Sequence, residues 1–70
     1  MAQFPAVVAS IEKDKVTIET QRGPVLECVF SRGSMPRRGN KGIAVIDEVA
    51  QTVKFRGPRG AGHFRLISTN

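Results

Sequence analysis

Two segments of the chain combine arginine with glycine and contain no acidic residue. They cover residues 31–42 and 56–65, and together they hold seven of the 11 lysine and arginine residues. An arginine guanidinium grips a phosphate group with two hydrogen bonds and can also stack on a base. A glycine beside it lets the backbone approach a ligand closely. These two basic, glycine-rich loops are therefore the candidate binding site, and its ligand would be a polyanion.

The aromatic residues decide whether such a site could read individual bases. The chain has four phenylalanines and neither tryptophan nor tyrosine. Alternation assigns Phe30 and Phe55 to the core. Phe64 is the best candidate for stacking on a base, because it lies between His63 and Arg65. This small aromatic supply favours recognition of the backbone or of shape. The predicted nucleic-acid-binding residues are Arg32, Arg37, Arg38, Lys41, Arg56, Arg59, His63, Phe64 and Arg65.

The remaining reactive residues do not predict an enzyme. Nucleophilic catalysis needs a nucleophile with a base within hydrogen-bond reach, and Cys28 and His63 are the only cysteine and histidine. Cys28 lies on the inward face of a predicted strand and is expected in the core, whereas His63 is expected in a surface loop. Asp47 and Glu48 are adjacent acids of the kind found in turns. We predict no catalytic residue, no metal site and no cofactor.

The charge of the chain favours nucleic acid as its partner. The formal net charge is +5 and the isoelectric point is about 10.4, and outside the two segments the acidic and basic residues nearly cancel. RNA or single-stranded DNA is favoured over duplex DNA, because no segment predicts a helix that could enter the major groove. The sequence contains no amphipathic helix and no lipidation signal, so a membrane is not the expected partner. A lone cysteine without a secretion signal predicts a cytoplasmic location.

A small protein-interaction or regulatory module is the alternative, since the positive charge would equally steer the chain to an acidic protein surface. Such a module should expose an apolar patch beside the basic segments, and Met35 and Phe64 are the candidates for it. A homodimer is also open, because a chain of 70 residues buries a small core and its one cysteine forms no internal disulfide.

Six short runs have the alternation that is typical of β-strands. They cover residues 6–11, 16–20, 25–30, 42–46, 50–56 and 63–67. In the first run, Val7, Ala9 and Ile11 are predicted to share one face. Residues 1–70 therefore predict one all-β domain, a small antiparallel barrel of five or six strands. An SH3-like barrel is favoured over an OB-like one, because Pro36 and the nearby glycines argue against a helix after the third strand.

Part of this pattern resembles a known family. The three-strand meander, the connection at 31–41, the run Ile-Ala-Val-Ile-Asp at 43–47 and the run Val-Lys-Phe-Arg at 53–56 are similar to small S1-type RNA-binding barrels, such as bacterial translation initiation factor one. The chain departs from that family in its shorter third connection and its added Arg-Gly-Pro-Arg-Gly segment. The resemblance implies RNA as a partner and implies no roles for individual residues.

Overall fold

Six antiparallel strands close into a barrel in the computed structural model, which describes residues 1–70. The strands are β1 (Ala2–Glu12), β2 (Lys15–Thr20), β3 (Val25–Gly33), β4 (Lys41–Asp47), β5 (Thr52–Gly57) and β6 (Gly60–Thr69). Their order around the barrel is β1-β2-β3-β6-β5-β4, and β4 pairs with β1 to complete the ring. The predicted small antiparallel β-barrel is confirmed, with six strands and with no helix between β3 and β4.

Closure of the barrel explains how so short a chain pairs the hydrogen-bonding groups of its backbone. Each strand has a neighbour on both sides, so no row of backbone N–H and C=O groups is left unpaired at a sheet edge. The two three-strand meanders, β1-β2-β3 and β4-β5-β6, are joined by the β3–β6 and β1–β4 pairings. The chain contains no helix of the length and apolarity needed to cross a membrane.

The core is formed by twelve buried apolar side chains and contains no buried polar one. They are Ala6, Val8, Val16, Ile18, Leu26, Cys28, Ala44, Ile46, Val53, Phe55, Phe64 and Leu66. The rings of Phe30 and Phe64 meet edge to face, with centroids 5.6 Å apart and an interplanar angle of 72°. This is a favoured aromatic geometry, and it packs the half-buried Phe30 against the core.

A β-bulge in β1 changes which residues face inward. The register with β2 shifts between Val8 and Ser10, so Ala9 is an extra residue opposite the ladder of β2. Val8 is buried before the bulge, and Ile11 packs against the core after it. Val7, which pairs with the exposed Glu19, and Ile11, which pairs with the buried Val16, therefore lie on opposite faces, and the prediction that Val7, Ala9 and Ile11 share one face is wrong. One inserted residue reverses the alternation, which a regular period of two cannot represent.

The second basic segment is a tight hairpin and not a long loop. β5 continues to Gly57 and β6 begins at Gly60, which leaves Pro58 and Arg59 as the turn. The prediction of a loop over residues 56–65 is therefore wrong in extent. Glycine in this segment serves close packing between strands rather than flexibility: a Cβ on Gly62 would lie 2.6 Å from the Ser34 carbonyl oxygen.

The first basic segment is likewise shorter than predicted. β3 extends through Gly33 and β4 begins at Lys41, so that residues 34–40 form the connection between them. A Cβ on Gly33 would lie 2.5 Å from the Ala61 carbonyl oxygen, and one on Gly42 would overlap the carbonyl oxygen of Arg56. Glycine at these strand ends lets neighbouring backbones approach each other where the barrel closes.

Candidate nucleic-acid interface

The two basic segments lie together at one end of the barrel. Because β3 and β6 are antiparallel, the end of β3 meets the start of β6, and the Ser34 N–H donates to the Ala61 carbonyl oxygen at 3.0 Å. The 34–40 connection and the turn at Pro58 and Arg59 therefore share this end, which we call the loop end. Sequence alone left open whether the two segments would meet.

The 34–40 connection is held in place by hydrogen bonds to β1 and within itself. The Gly39 N–H donates to the Val8 carbonyl oxygen at 2.8 Å, and the Val8 N–H donates to the Asn40 carbonyl oxygen at 2.9 Å. Asn40 also donates its N–H to the Arg37 carbonyl oxygen at 3.0 Å, and its Oδ1 accepts the Arg37 N–H at 2.9 Å. These bonds close a four-residue turn with Arg38 exposed at its tip.

A pocket of about 280 Å³ opens between the 34–40 connection and the β5–β6 turn, and we call it the end pocket. Three cations line it, Arg37 and Lys41 from the first basic segment and Arg59 from the second. No acidic residue is among its lining residues. Cations that are about twenty residues apart in sequence thus surround a single concave site, and their fields add there.

The other predicted cations lie on the outer surface of the barrel, on strands β3, β5 and β6. Arg32 and Lys54 both pair with His63, one from each side, so these three residues form a row across the strands. Arg65 and Arg56 are exposed on either side of this row. We call Arg32, Lys54, Arg56, His63 and Arg65 the basic face.

Lys54 belongs to the basic face although it is not among the predicted binding residues. Val53 and Phe55 point into the core, so Lys54 between them must point outward. The alternation of β5 could have identified Lys54 from the sequence, because it places Thr52, Lys54 and Arg56 on one exposed face. A charge count by segment assigns Lys54 to the nearly neutral remainder of the chain, and so misses it.

A shallow groove of about 460 Å³ follows the basic face. Arg32, Lys54, His63 and Arg65 line it, and Asp47 is its one acidic lining residue. The groove and the end pocket share no lining residue, but Arg56 lies on the outer face between them, one register step from the turn that carries Arg59. The cations therefore continue from the side of the barrel to its loop end.

None of these cations forms an ion pair within the chain. The structure has one ion pair, in which Lys15 Nζ lies 3.4 Å from Glu27 Oε1. The other ten of the 11 lysine and arginine residues have no carboxylate within ion-pair distance. No acidic residue follows Glu48 in the sequence, and β5 and β6 therefore carry positive charge alone. The positive field of the basic face and the loop end is therefore not cancelled by ion pairs.

Asp47 and Glu48 lie at the opposite end of the barrel, where Asp47 ends β4 and Glu48 begins the β4–β5 connection. Asp47 Oδ1 accepts the N–H groups of Val49 and Ala50, both at 3.1 Å. The side chain thus holds its own turn, as predicted for an acidic turn residue. Nowhere in the chain do three His, Cys, Asp or Glu side chains come together in a group.

Phe64 is buried, and the prediction that it stacks on a base is wrong. β6 is longer than predicted, and its alternation turns Phe64 inward, where it is 1% exposed and pairs with Val53 and Phe30. Phe55 is 2% exposed, which confirms its predicted place in the core. The other two phenylalanines, Phe4 and Phe30, are half-buried and pack against the core, so none of the four presents a fully exposed ring.

His63 lies in β6 rather than in a loop, and it is half-buried. Its position between Arg32 and Lys54 gives the basic face a ring that could hydrogen-bond to a ligand or stack on a base. Stacking is the role that the sequence predicts for Phe64. Every predicted cation of the site is exposed, namely Arg32, Arg37, Arg38, Lys41, Arg56, Arg59 and Arg65.

Cys28 is fully buried in the core, as predicted. Burial raises the pKa of its thiol to about 12, and the negative charge of the neighbouring Glu27 adds to the shift. The thiol is therefore protonated at neutral pH, whereas a nucleophilic cysteine must be a thiolate. Cys28 acts as an apolar core residue.

Comparisons with protein-family models, with curated proteins and with solved structures gave no match to this chain. The resemblance to S1-type RNA-binding barrels stays a prediction.

Proposed function

We propose that this barrel is a non-enzymatic nucleic-acid-binding protein that holds the sugar–phosphate backbone of RNA or single-stranded DNA. The observation that carries the proposal is a group of eight exposed cations without acidic partners, on the basic face and the loop end. They are Arg32, Arg37, Arg38, Lys41, Lys54, Arg56, Arg59 and Arg65. Binding of this kind depends on neutralising phosphates and on releasing the counterions condensed around them.

The absence of exposed aromatic rings supports contact with the backbone rather than reading of base sequence. Proteins that read single strands by sequence splay the bases out and stack them on Phe, Tyr, Trp or His. Here His63 is the one ring on the basic face. By contrast, eight arginine and lysine side chains, Lys54 among them, could contact phosphates. Phosphate contacts fix position and orientation and carry no sequence information directly.

A protein-interaction module is less well supported. That alternative requires an apolar patch beside the basic segments, formed by Met35 and Phe64. Phe64 is buried, and Met35 is 38% exposed, so one side chain of the expected pair remains at the loop end. We also propose that the protein acts in a reducing compartment such as the cytoplasm, which suits the unpaired Cys28.

The proposal is tested by removing two cations from the loop end. In the double variant Arg37→Ala, Arg38→Ala, affinity for a labelled single-stranded RNA or DNA should fall about tenfold or more, and the slope of log K against log salt should become shallower by roughly 1.4, the value for two phosphate contacts. Fluorescence anisotropy at several salt concentrations measures both. Both residues lie in the connection and outside the core, so the fold should be preserved.

A control with the same loss of charge separates a site from the effect of net charge. Lys13 and Arg22 are exposed turn residues outside the basic face and have positive φ values of 57° and 60°. Asparagine tolerates that backbone conformation, so Lys13→Asn with Arg22→Asn removes two charges with little strain. This control should bind nearly as well as the unmodified protein. Equal losses in both double variants would contradict a localised site.

A further inference from the structure

We propose that the end pocket holds one unstacked nucleotide of the bound strand, with its phosphate on the pocket's cations and its base against the pocket's apolar wall. This inference rests on the proposed nucleic-acid binding and deepens it. It names the place where the protein would distinguish a single strand from a duplex, because a base in a continuous duplex stack cannot enter a pocket.

The cations of the end pocket provide the phosphate site. Arg37, Lys41 and Arg59 come from opposite sides of the pocket and carry no ion pair within the chain. Arginine can bind a phosphate through two parallel hydrogen bonds, and lysine adds a compact charge. No carboxylate lines the pocket to repel an anion.

The apolar wall of the end pocket provides the base site. Met35, Pro36 and Pro58 line the pocket beside the cations, and the buried Phe55 lies among its lining residues. Met35 and Pro58 are exposed and Pro36 is half-buried, so apolar surface is accessible there. Covering such surface with the face of a base removes it from water. The groove along the basic face also has apolar lining residues, but the carboxylate of Asp47 lines it as well, whereas no carboxylate lines the end pocket.

Polar groups in the same pocket could contact the edge of a base. Asn40 uses its Oδ1 to accept the Arg37 N–H, which leaves its amide NH₂ group as a donor. Ser34 contributes a hydroxyl group that can donate or accept. A base edge presents both donors and acceptors, so these groups suit several bases and need not select one.

The size of the end pocket suits a single nucleotide. Its volume of about 280 Å³ is close to the lower end of small-molecule sites, roughly 300 Å³. Glycines at positions 57 and 60 line it without filling it. Gly60 has a φ of +134°, and a Cβ there would lie 2.9 Å from Ser34 Oγ, so a larger residue would both strain the turn and narrow the pocket.

The direct test is an NMR titration of the unmodified, isotope-labelled protein with adenosine monophosphate and, separately, with inorganic phosphate. We expect the nucleotide to shift the backbone amide signals of the non-proline residues in 34–41 and 57–60, and to bind more tightly than phosphate. Signals of β2, which contributes no residue to the pocket, serve as the internal reference. Equal affinity for phosphate and for the nucleotide would overturn the base contact. No shift in these two segments would overturn the pocket as a site.

A charge-neutral variant separates this inference from the proposed function. In Met35→Ser, affinity for a single-stranded oligonucleotide should fall about 3- to 10-fold, from loss of apolar contact, while the salt slope stays unchanged. The preference for single strand over duplex should shrink by the same factor. Val49→Ser is the matched control, because Val49 is 97% exposed in the connection at the opposite end. It should change neither quantity.

The outcomes distinguish the two proposals. If the protein binds single strands and duplexes equally well and Met35→Ser has no effect, the end pocket holds no base, and nucleic-acid binding through phosphates still stands. If neither nucleic acid binds at low salt, the proposed function fails, and the inference that depends on it fails too. Unchanged thermal unfolding of Met35→Ser would show that any loss of affinity is local.

Discussion

Burial controls the chemistry of Cys28, and it makes the stability of the barrel depend on alkaline pH. The thiol has a pKa of about 12 in the folded protein and an ordinary value of 9.0. Below pH 9 the thiol is protonated in both the folded and the unfolded state, so its contribution to stability is fully present. Between these two pKa values the unfolded state loses the proton first, and stability falls as pH rises.

We therefore expect the free energy of unfolding to decrease as pH rises from about 9 to 12, by up to roughly 1.4 kcal/mol per pH unit from this group. Urea denaturation followed by far-UV circular dichroism measures it, since the chain lacks tryptophan and tyrosine. Cys28→Ala should be less stable at neutral pH, because it leaves a cavity. Its free energy of unfolding should also decrease less steeply with rising pH than that of the unmodified protein. Parallel declines in the two proteins would contradict a burial-raised thiol pKa.

At the scale of single residues, side-chain chemistry was easier to predict than side-chain direction. The cations could be found from the sequence because arginine and lysine are exposed wherever no partner compensates their burial. The direction of Phe64 could not, because the short run at 63–67 does not show which of its two faces points inward. The pairing of β6 with β3 and β5 places Phe64 opposite Phe30 and Val53, in the core.

At the scale of elements, alternation predicted every strand, and irregularities caused the errors. Val53 and Phe55 fix the faces of β5 without ambiguity. The bulge at Ala9 leaves no mark in composition, since alanine and serine suit either face of a strand. The glycines after Phe55 suggest flexibility in sequence, but several of them are required for close strand contacts. Those contacts involve residues distant in sequence, such as Gly62 and Ser34.

Gly62 gives a stability test of this close packing. A Cβ at this position would lie 2.6 Å from the Ser34 carbonyl oxygen and 3.1 Å from Phe64 Cε1. Gly62→Ala should therefore lower the free energy of unfolding by about 1–3 kcal/mol, the usual cost of overpacking. Thermal or urea unfolding measures the change.

Gly57→Ala is the matched control for that test, because it changes the same hairpin without crowding. The nearest atoms to a Cβ at Gly57 are the Lys41 carbonyl oxygen at 3.5 Å and a Phe55 ring carbon at 3.6 Å, which are ordinary van der Waals contacts. Its stability should stay within about 0.5 kcal/mol of the unmodified protein. Equal destabilisation by both substitutions would show that glycine flexibility, and not contact with Ser34, matters in this hairpin.

At the scale of the whole molecule, the separation of charge depends on the order of the strands. β6 pairs with β3, and this pairing brings the second basic segment to the end where the first one leaves β3. The acidic residues Asp47 and Glu48 fall at the other end. The sequence shows the two clusters but not their meeting, because the pairing joins two strands separated by 26 residues, 34–59. The continuous basic surface is thus a property of the topology.

The most direct test of the central claim is the salt dependence of binding to a single-stranded oligonucleotide by the unmodified protein. If six to eight of the exposed cations contact phosphates, log K should fall with log salt at a slope of roughly −4 to −6. Fluorescence anisotropy over a range of salt concentrations gives this slope. A slope near zero, or no binding at low salt, would contradict the proposal that this barrel holds a nucleic-acid backbone on its basic face and loop end.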